Sequence, residues 1–204
     1  MKALLLIDLQ NDFMPGGPLA VPDGLACVQV ANQVEKMFNT IIATKDWHPQ
    51  DHRSFAKSHP GKKPGDRIDL EGLEQTLWPT HCVQHTDGAA LVRGLDQSNI
   101  QHVVTKGEDV HVDSYSAFFD NAHRRETGLA RYLEHKHIDE LYLIGLATEY
   151  CVKYSALDAI GLGYKTTVIV DGCRGIELNQ GDIECALAEM RDQGVHLLTM
   201  ADLL

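Results

Sequence analysis

The stretch Leu141–Cys151, which reads LYLIGLATEYC, decides the fold class of this chain. Its first part, Leu141–Leu146, is a continuous apolar run, which is typical of a parallel strand covered on both faces. Its second part opens a helical pattern in which Val152, Ala156 and Ile160 recur at four-residue steps. We therefore interpret the stretch as a strand that leads directly into a helix, the repeating unit of an α/β fold.

The same rhythm extends from this stretch toward both ends of the chain. Further apolar runs predict strands at Ala3–Leu9, Thr40–Thr44, His102–Lys106, Thr166–Val170 and Val195–Thr199. Helical patterns cover Leu25–Phe38, Arg124–His137, Cys151–Ile160 and Ile183–Met190. Because strands that alternate with helices form parallel sheets flanked by helices, we predict a three-layer α/β/α fold with a central, mainly parallel six-stranded sheet. The order of the strands does not follow from the sequence.

One long segment, His48–Asn99, interrupts this rhythm. It contains several prolines and glycines, five histidines and no clear periodicity. A long irregular segment inside a compact domain is usually functional or disordered, and its histidines and aromatic residues favour a functional one. We expect a single domain over residues 1–204 with a functional insertion at about 48–99.

Bulk composition excludes several classes of partner. The formal net charge is −11 at pH 7, and phosphate groups need a basic patch, so we expect neither nucleic acid nor a membrane as partner.

The N-terminal apolar run ends at Asp8 and does not resemble a signal peptide. The five cysteines have no CxxC spacing, which predicts neither a disulfide framework nor a zinc ribbon. A cytoplasmic location is expected, and homo-oligomer formation stays open.

Reactive side chains follow several of the predicted strands. Five of them stand at or just after a strand's carboxyl end, namely Asp8, Asp46, His48, Lys106 and Cys151. In an open parallel sheet, ligands bind beyond the carboxyl ends of the strands. The sequence therefore predicts that an acid, an ammonium and a thiol converge on one edge of the sheet, beside an Asp-x-His pair.

This convergence makes Cys151 a candidate nucleophile. The first turn of a helix favours a thiolate, Asp8 could accept the thiol proton, and Lys106 could stabilise the charges. Each residue also has a structural interpretation, respectively a packed cysteine, a carboxylate that caps a loop and a solvated lysine. Their shared position favours catalysis. Cys27 and Cys185 lie on helical faces, where we expect them to pack.

The Asp46-x-His48 pair is a candidate metal site, because this spacing in an extended segment directs both side chains to one side. A third ligand has to come from the insertion, which offers His52, His59, His81 and His85. Carboxylate and imidazole ligands suit Zn²⁺, Fe²⁺ or Mn²⁺. The alternative is that Asp46 caps the loop and the histidines are solvated.

Six motifs in chain order resemble the bacterial nicotinamidases, a branch of the isochorismatase-like cysteine hydrolases. They are Asp8–Phe13 (DLQNDF), Asp46–Pro49 (DWHP), Trp78–Cys82 (WPTHC), Lys106–Gly107, Tyr115–Phe118 (YSAF) and Gly145–Val152 (GLATEYCV). The resemblance runs across essentially the whole chain, through Asp171–Gly175. It departs from the family pattern at Glu149, where an aspartate is common. Because Glu149 lies two residues before Cys151, we expect its side chain to face away from the site.

The resemblance implies a role for each matched residue. The catalytic triad comprises Asp8, Lys106 and Cys151. The metal ligands are Asp46, His48 and His81, while His52 is a further candidate that we leave out. Phe13 and Trp78 hold an aromatic substrate ring, and Tyr115 lines the pocket. The backbone N–H groups of Ala147 and Cys151 form the oxyanion hole, behind a cis peptide.

The resemblance also implies the reaction. Nicotinamide would be hydrolysed to nicotinate and ammonia in NAD salvage, with pyrazinamide as a surrogate substrate. One divalent metal ion, zinc in first place and iron or manganese as alternatives, would hold the pyridine nitrogen while the cysteine attacks the carboxamide carbon.

Three other functions are compatible with parts of this residue pattern. An amidase of the same superfamily that acts on a carbamoyl or ureido compound would need neither the ring-stacking pair nor the metal motif. A vinyl ether hydrolase of the isochorismate type would lack Cys151. A non-catalytic metal- or redox-sensing module would leave Asp8 and Lys106 unexplained.

Overall fold

The computed structural model describes residues 1–203 and confirms the predicted α/β fold. The strands are β1 (Lys2–Ile7), β2 (Ile41–Asp46), β3 (Arg67–Leu70), β4 (Leu73–Thr76), β5 (Ile100–Lys106), β6 (Glu140–Leu146), β7 (Lys165–Arg174) and β8 (His196–Leu198). Within residues 1–203, the central sheet has six strands in the order β5-β2-β1-β6-β7-β8, and every neighbouring pair is parallel. Strands β3 and β4 form a separate antiparallel hairpin.

Helices cover both faces of the sheet. They are α1 (Gly24–Val34), α2 (Leu129–His135), α3 (Lys153–Gly161) and α4 (Asp182–Asp192). Leu4 and Leu6 of β1 belong to a buried cluster shared with α1, whereas Leu5 and Ile7 belong to one shared with α2, α3 and α4. This alternation follows from the two-residue period of a strand, and it produces the three layers.

Two predicted helix boundaries were wrong. Helix α2 begins at Leu129 rather than near residue 124, because Gly128 has a left-handed φ of 91°. The residues before it form a turn instead, in which a carboxylate oxygen of Asp120 accepts the N–H groups of Ala122 and Arg124. Cys151 lies in a π-helical turn, Thr148–Val152, before α3 begins.

The insertion contains the β3–β4 hairpin, which the sequence did not predict. Its register pairs Leu70 with Leu73, so that the hairpin turns through Glu71 and Gly72. Both turn residues have positive φ, 54° and 88°. No helix within residues 1–203 is long and apolar enough to cross a membrane.

Candidate active site

Four neighbouring strands deliver the reactive side chains to one edge of the sheet. Asp46 and Lys106 are the last residues of β2 and β5, and the strand register pairs them directly. Asp8 follows β1, which lies between β2 and β6. Cys151 stands in the turn that follows β6. The predicted convergence is therefore a consequence of the strand order, which the sequence left open.

The ammonium of Lys106 lies at the centre of this group. Its Nζ is 2.8 Å from Asp8 Oδ2 and 3.2 Å from Cys151 Sγ. It also donates to the carbonyl oxygen of Ser114 at 3.0 Å and forms a short ion pair with Asp46. The side chains of Lys106 and Asp8 are fully buried. The contact with Asp46 was not predicted, and it joins the candidate triad to the candidate metal ligands.

Burial and charge together set the protonation of this cluster. Burial disfavours the ammonium of Lys106, but Asp46 and Asp8 overcome this effect and hold its pKa well above the usual value. Burial raises the pKa of Asp8, and Lys106 opposes the shift. Burial likewise raises the pKa of Cys151 well above the usual value, again against Lys106. Burial therefore opposes the thiolate that the sequence favours at Cys151, and the ammonium of Lys106 favours it.

The side chain of Asp8 is oriented by its neighbour on β2. Thr44 Oγ1 donates to Asp8 Oδ1 at 2.6 Å and accepts the Asp8 N–H at 3.1 Å. An oxygen of Asp8 lies within 4.8 Å of Cys151 Sγ. The side chains of Asp8 and Cys151 therefore need to move only slightly closer together for a proton to pass between them.

Asp46, His48 and His81 present converging ligand atoms. The Nε2 atoms of His48 and His81 lie 3.7 and 3.6 Å from Asp46 Oδ2. The other ring nitrogens face backbone carbonyls, with His48 Nδ1 2.9 Å from Gly107 O and His81 Nδ1 2.8 Å from Pro79 O. Since a carbonyl only accepts, both Nδ1 atoms carry a proton, and each Nε2 is the ring nitrogen that faces Asp46 as a possible ligand atom. This donor set fits a divalent metal ion.

His52 is a further candidate ligand beside His48. It is fully buried, and its Nδ1 lies 2.7 Å from Ser54 Oγ and 3.2 Å from the backbone nitrogen of Ser54. Burial lowers the pKa of His52 to about 4, and its Nε2 has no hydrogen-bond partner within residues 1–203. A ring nitrogen of His52 lies within 4.8 Å of ligand atoms of His48 and Asp113, so these three residues form a second group that could hold a metal ion.

A pocket opens beside Cys151. Every residue that the sequence assigned to the substrate lines it, namely Phe13, Trp78, Tyr115, Ala147 and Cys151. Trp78 Nε1 donates to the hydroxyl of Tyr115 at 3.1 Å, which fixes both rings. Phe13 and Trp78 are both buried and provide flat apolar walls. Such a pocket suits a small aromatic ligand.

Three further residues that line the pocket were missed from the sequence. Tyr150 packs edge-on against Trp78, with ring centroids 4.9 Å apart, and Asp113 and Ile176 also line the pocket. Tyr150 lies inside the Gly145–Val152 motif and Asp113 lies two residues before the YSAF motif, so both had a signal in the sequence.

Glu149 is buried and faces away from the pocket, as expected. It accepts the N–H groups of Ile176 and the next residue at 2.8 and 2.7 Å.

The backbone before Cys151 contains the non-proline cis peptide Leu146–Ala147. Among residues 1–203, the Ala147 N–H has no hydrogen-bond partner, and Ala147 lines the pocket.

Of the two cysteines expected to pack, Cys27 is buried but Cys185 is exposed, so that expectation was wrong for Cys185.

A parallel sheet with a thiol, an ammonium and a carboxylate buried at its carboxyl edge, beside an aromatic pocket, defines an α/β enzyme with a cysteine in its site. The chain belongs to the isochorismatase domain family, whose model matches residues 2–202.

Relatives within this family are highly similar to the chain. It is 51% identical over 205 residues to a nicotinamidase of Escherichia coli K12, covering 98% of this chain and 96% of that protein. A solved structure described as a nicotinamidase and pyrazinamidase of Acinetobacter baumanii is 45% identical and superposes with a TM-score of 0.97, over 100% of this chain and 98% of the other. A pyrazinamidase of Pyrococcus horikoshii in complex with zinc is 34% identical, with a TM-score of 0.78 and coverage of 97% and 98%.

Proposed function

We propose that this protein hydrolyses nicotinamide to nicotinate and ammonia, accepts pyrazinamide as well, and acts in NAD salvage. The observation that carries the proposal is the 3.2 Å contact between Lys106 Nζ and Cys151 Sγ beside an aromatic pocket. The similarity to proteins named nicotinamidase supports the choice of substrate. A carbamoyl or ureido substrate would leave the walls of Phe13 and Trp78 without a ring to contact.

The first half of the reaction forms a thioester. Asp8 takes the proton of the Cys151 thiol, and Lys106 stabilises the resulting thiolate. The sulfur attacks the carboxamide carbon, and the backbone N–H groups of Ala147 and Cys151 donate to the oxygen that becomes negative. The C–N bond then breaks, and Asp8 returns its proton to the nitrogen, which leaves as ammonia.

The second half consumes one water. Asp8 accepts a proton from the water while the oxygen of the water attacks the thioester carbon. The C–S bond breaks, and the Cys151 sulfur recovers a proton from Asp8. The acid product loses its own proton to solvent and leaves as nicotinate. The raised pKa of Asp8 suits this role, because a general base works best with a pKa near the working pH.

One divalent metal ion would be held by Asp46, His48 and His81. Zinc is our first choice, with iron or manganese as alternatives, and the zinc complex of the Pyrococcus horikoshii relative supports it. When bound, the ion would supply a Lewis acid for the ring nitrogen of the substrate. Phe13 and Trp78 would hold the ring by stacking, and the cytoplasm is the proposed location.

Ammonia release tests the proposed function. Purified metal-loaded protein is incubated separately with nicotinamide, pyrazinamide and the aliphatic amide propionamide, and ammonia is measured over time. We expect kcat/KM for both aromatic amides to exceed the propionamide value by about 10³ or more, because propionamide lacks the stacking contacts and the ring nitrogen. Equal turnover of propionamide would contradict the assignment.

A further inference from the structure

Asp113 is a buried carboxylate in the pocket wall to which the reaction above assigns no role. It is 3% exposed, and it lines the pocket with Cys151 and Tyr115. Its Oδ1 accepts the backbone N–H of Ser114 at 2.8 Å, and its Oδ2 accepts Nε2 of Gln75 at 3.2 Å. Both oxygens accept hydrogen bonds from neutral donors, and an oxygen of Asp113 also lies within 4.8 Å of a ring nitrogen of His48 and of His52.

Gln75 holds Asp113 in place from the β3–β4 hairpin. Its Nε2 also lies 2.7 Å from Thr76 O and 3.2 Å from the Tyr115 hydroxyl. Because Thr76 O and the Asp113 carboxylate only accept, the amide nitrogen of Gln75 has to face them. Gln75 is itself 3% exposed. The charge of Asp113 is therefore fixed at the pocket by two buried neutral donors.

The charges around the pocket are closely balanced. Asp8, Asp46 and Asp113 contribute three formal negative charges, and Lys106 contributes one positive charge. A divalent ion on the candidate ligands would bring the sum to zero. Without Asp113, the sum would become positive, and the pocket would attract an anion.

We propose that Asp113 is a specificity-determining residue that favours the neutral amide over the anionic acid. This inference rests on the proposed function, in which a neutral substrate becomes a carboxylate product of nearly the same shape. The repulsion between Asp113 and that carboxylate weakens product binding and so limits product inhibition. In an effective dielectric of about 20, a unit charge within about 12 Å changes a binding constant by about tenfold or more, and Asp113 lines the same pocket as Cys151, which would attack the substrate carbon.

Ligand binding without turnover tests the inference. Dissociation constants for nicotinamide and nicotinate are measured by calorimetry on metal-loaded Cys151→Ala protein, alone and combined with Asp113→Asn. The matched control combines Cys151→Ala with Glu74→Gln, which removes the same charge from a side chain on the hairpin that is 72% exposed. Asp113→Ser keeps an acceptor for the Ser114 N–H and serves as a second variant.

We expect Asp113→Asn to lower the ratio of the nicotinate to the nicotinamide dissociation constant by about tenfold. Asp113→Ser should do the same, and Glu74→Gln should leave the ratio within twofold. An unchanged ratio in both Asp113 variants would overturn the inference, as would loss of their metal, which would assign Asp113 to metal retention. If Cys151→Ala protein bound neither ligand, the proposed function itself would be contradicted, and the inference with it.

Discussion

Replacing Lys106 by methionine should both inactivate and strongly destabilise the protein. Methionine keeps most of the aliphatic volume, so the change removes the ammonium with little loss of packing. The carboxylates of Asp8 and Asp46 are then left close together without their cation. Removal of one partner from a buried ion pair typically lowers the free energy of unfolding by about 3–5 kcal/mol, and we expect a loss in this range for metal-free protein.

A double-mutant cycle separates the ion pair from packing. Asp8→Asn is the matched partner change, because asparagine tolerates the left-handed φ of 50° at this position and can still accept the Thr44 hydroxyl. The double variant Asp8→Asn/Lys106→Met removes both charges. It should lose about 2 kcal/mol less than the sum of the two single variants, since neither charge is stranded.

Urea unfolding of metal-free protein, followed by far-ultraviolet circular dichroism, gives the three free energies. Lys153→Met is the control, because its ion pair with Glu189 lies at the surface and should contribute less than about 1 kcal/mol. Additivity of the two single changes within about 0.5 kcal/mol would refute the buried ion pair as an energetic unit.

Three further predictions follow from the site. In His48→Ala/His81→Ala, elemental analysis should find less than a tenth of the wild-type metal content; full occupancy would mean that other residues bind the ion. Trp78→Ala should raise KM for nicotinamide about tenfold with a smaller change in kcat, because stacking contributes mainly to ring binding; a change confined to kcat would argue against this contact. Glu149→Ala should lower the free energy of unfolding by about 1–3 kcal/mol, because it strands the Ile176 N–H and its neighbour; a loss below about 0.5 kcal/mol in urea unfolding would exclude this anchor.

The local pattern of the sequence predicted the elements and the reactive strand ends. The apolar runs identified six strands because the inner strands are buried on both faces and the edge strands β5 and β8 keep the same apolar composition. The rule for parallel sheets placed Asp8, Asp46 and Lys106 at a common edge. The strand order that makes these residues neighbours depends on packing between distant segments, which no local pattern records. The single-domain organisation with an insertion at about 48–99 stays a prediction.

The remaining features depend on burial and on long-range contacts. The raised pKa of the Cys151 thiol results from burial at the pocket, which depends on long-range packing and opposes the thiolate that the local turn favours. Gln75 and Asp113 are 38 positions apart and meet only after the hairpin folds onto the pocket. Gln75 lies in the insertion, which lacks periodicity, and Asp113 lies outside it, so no local pattern could pair these two residues.

The most direct test of the account is ammonia release from nicotinamide by wild-type protein and by Cys151→Ala protein with the same metal content. The change removes the sulfur and almost no volume, so the fold and the metal should be retained while kcat falls by about 10³ or more. Loss of activity in a folded, metal-loaded variant is the result that the account predicts. Residual turnover within tenfold of wild type would contradict a mechanism in which the Cys151 thiol forms the bond to the substrate.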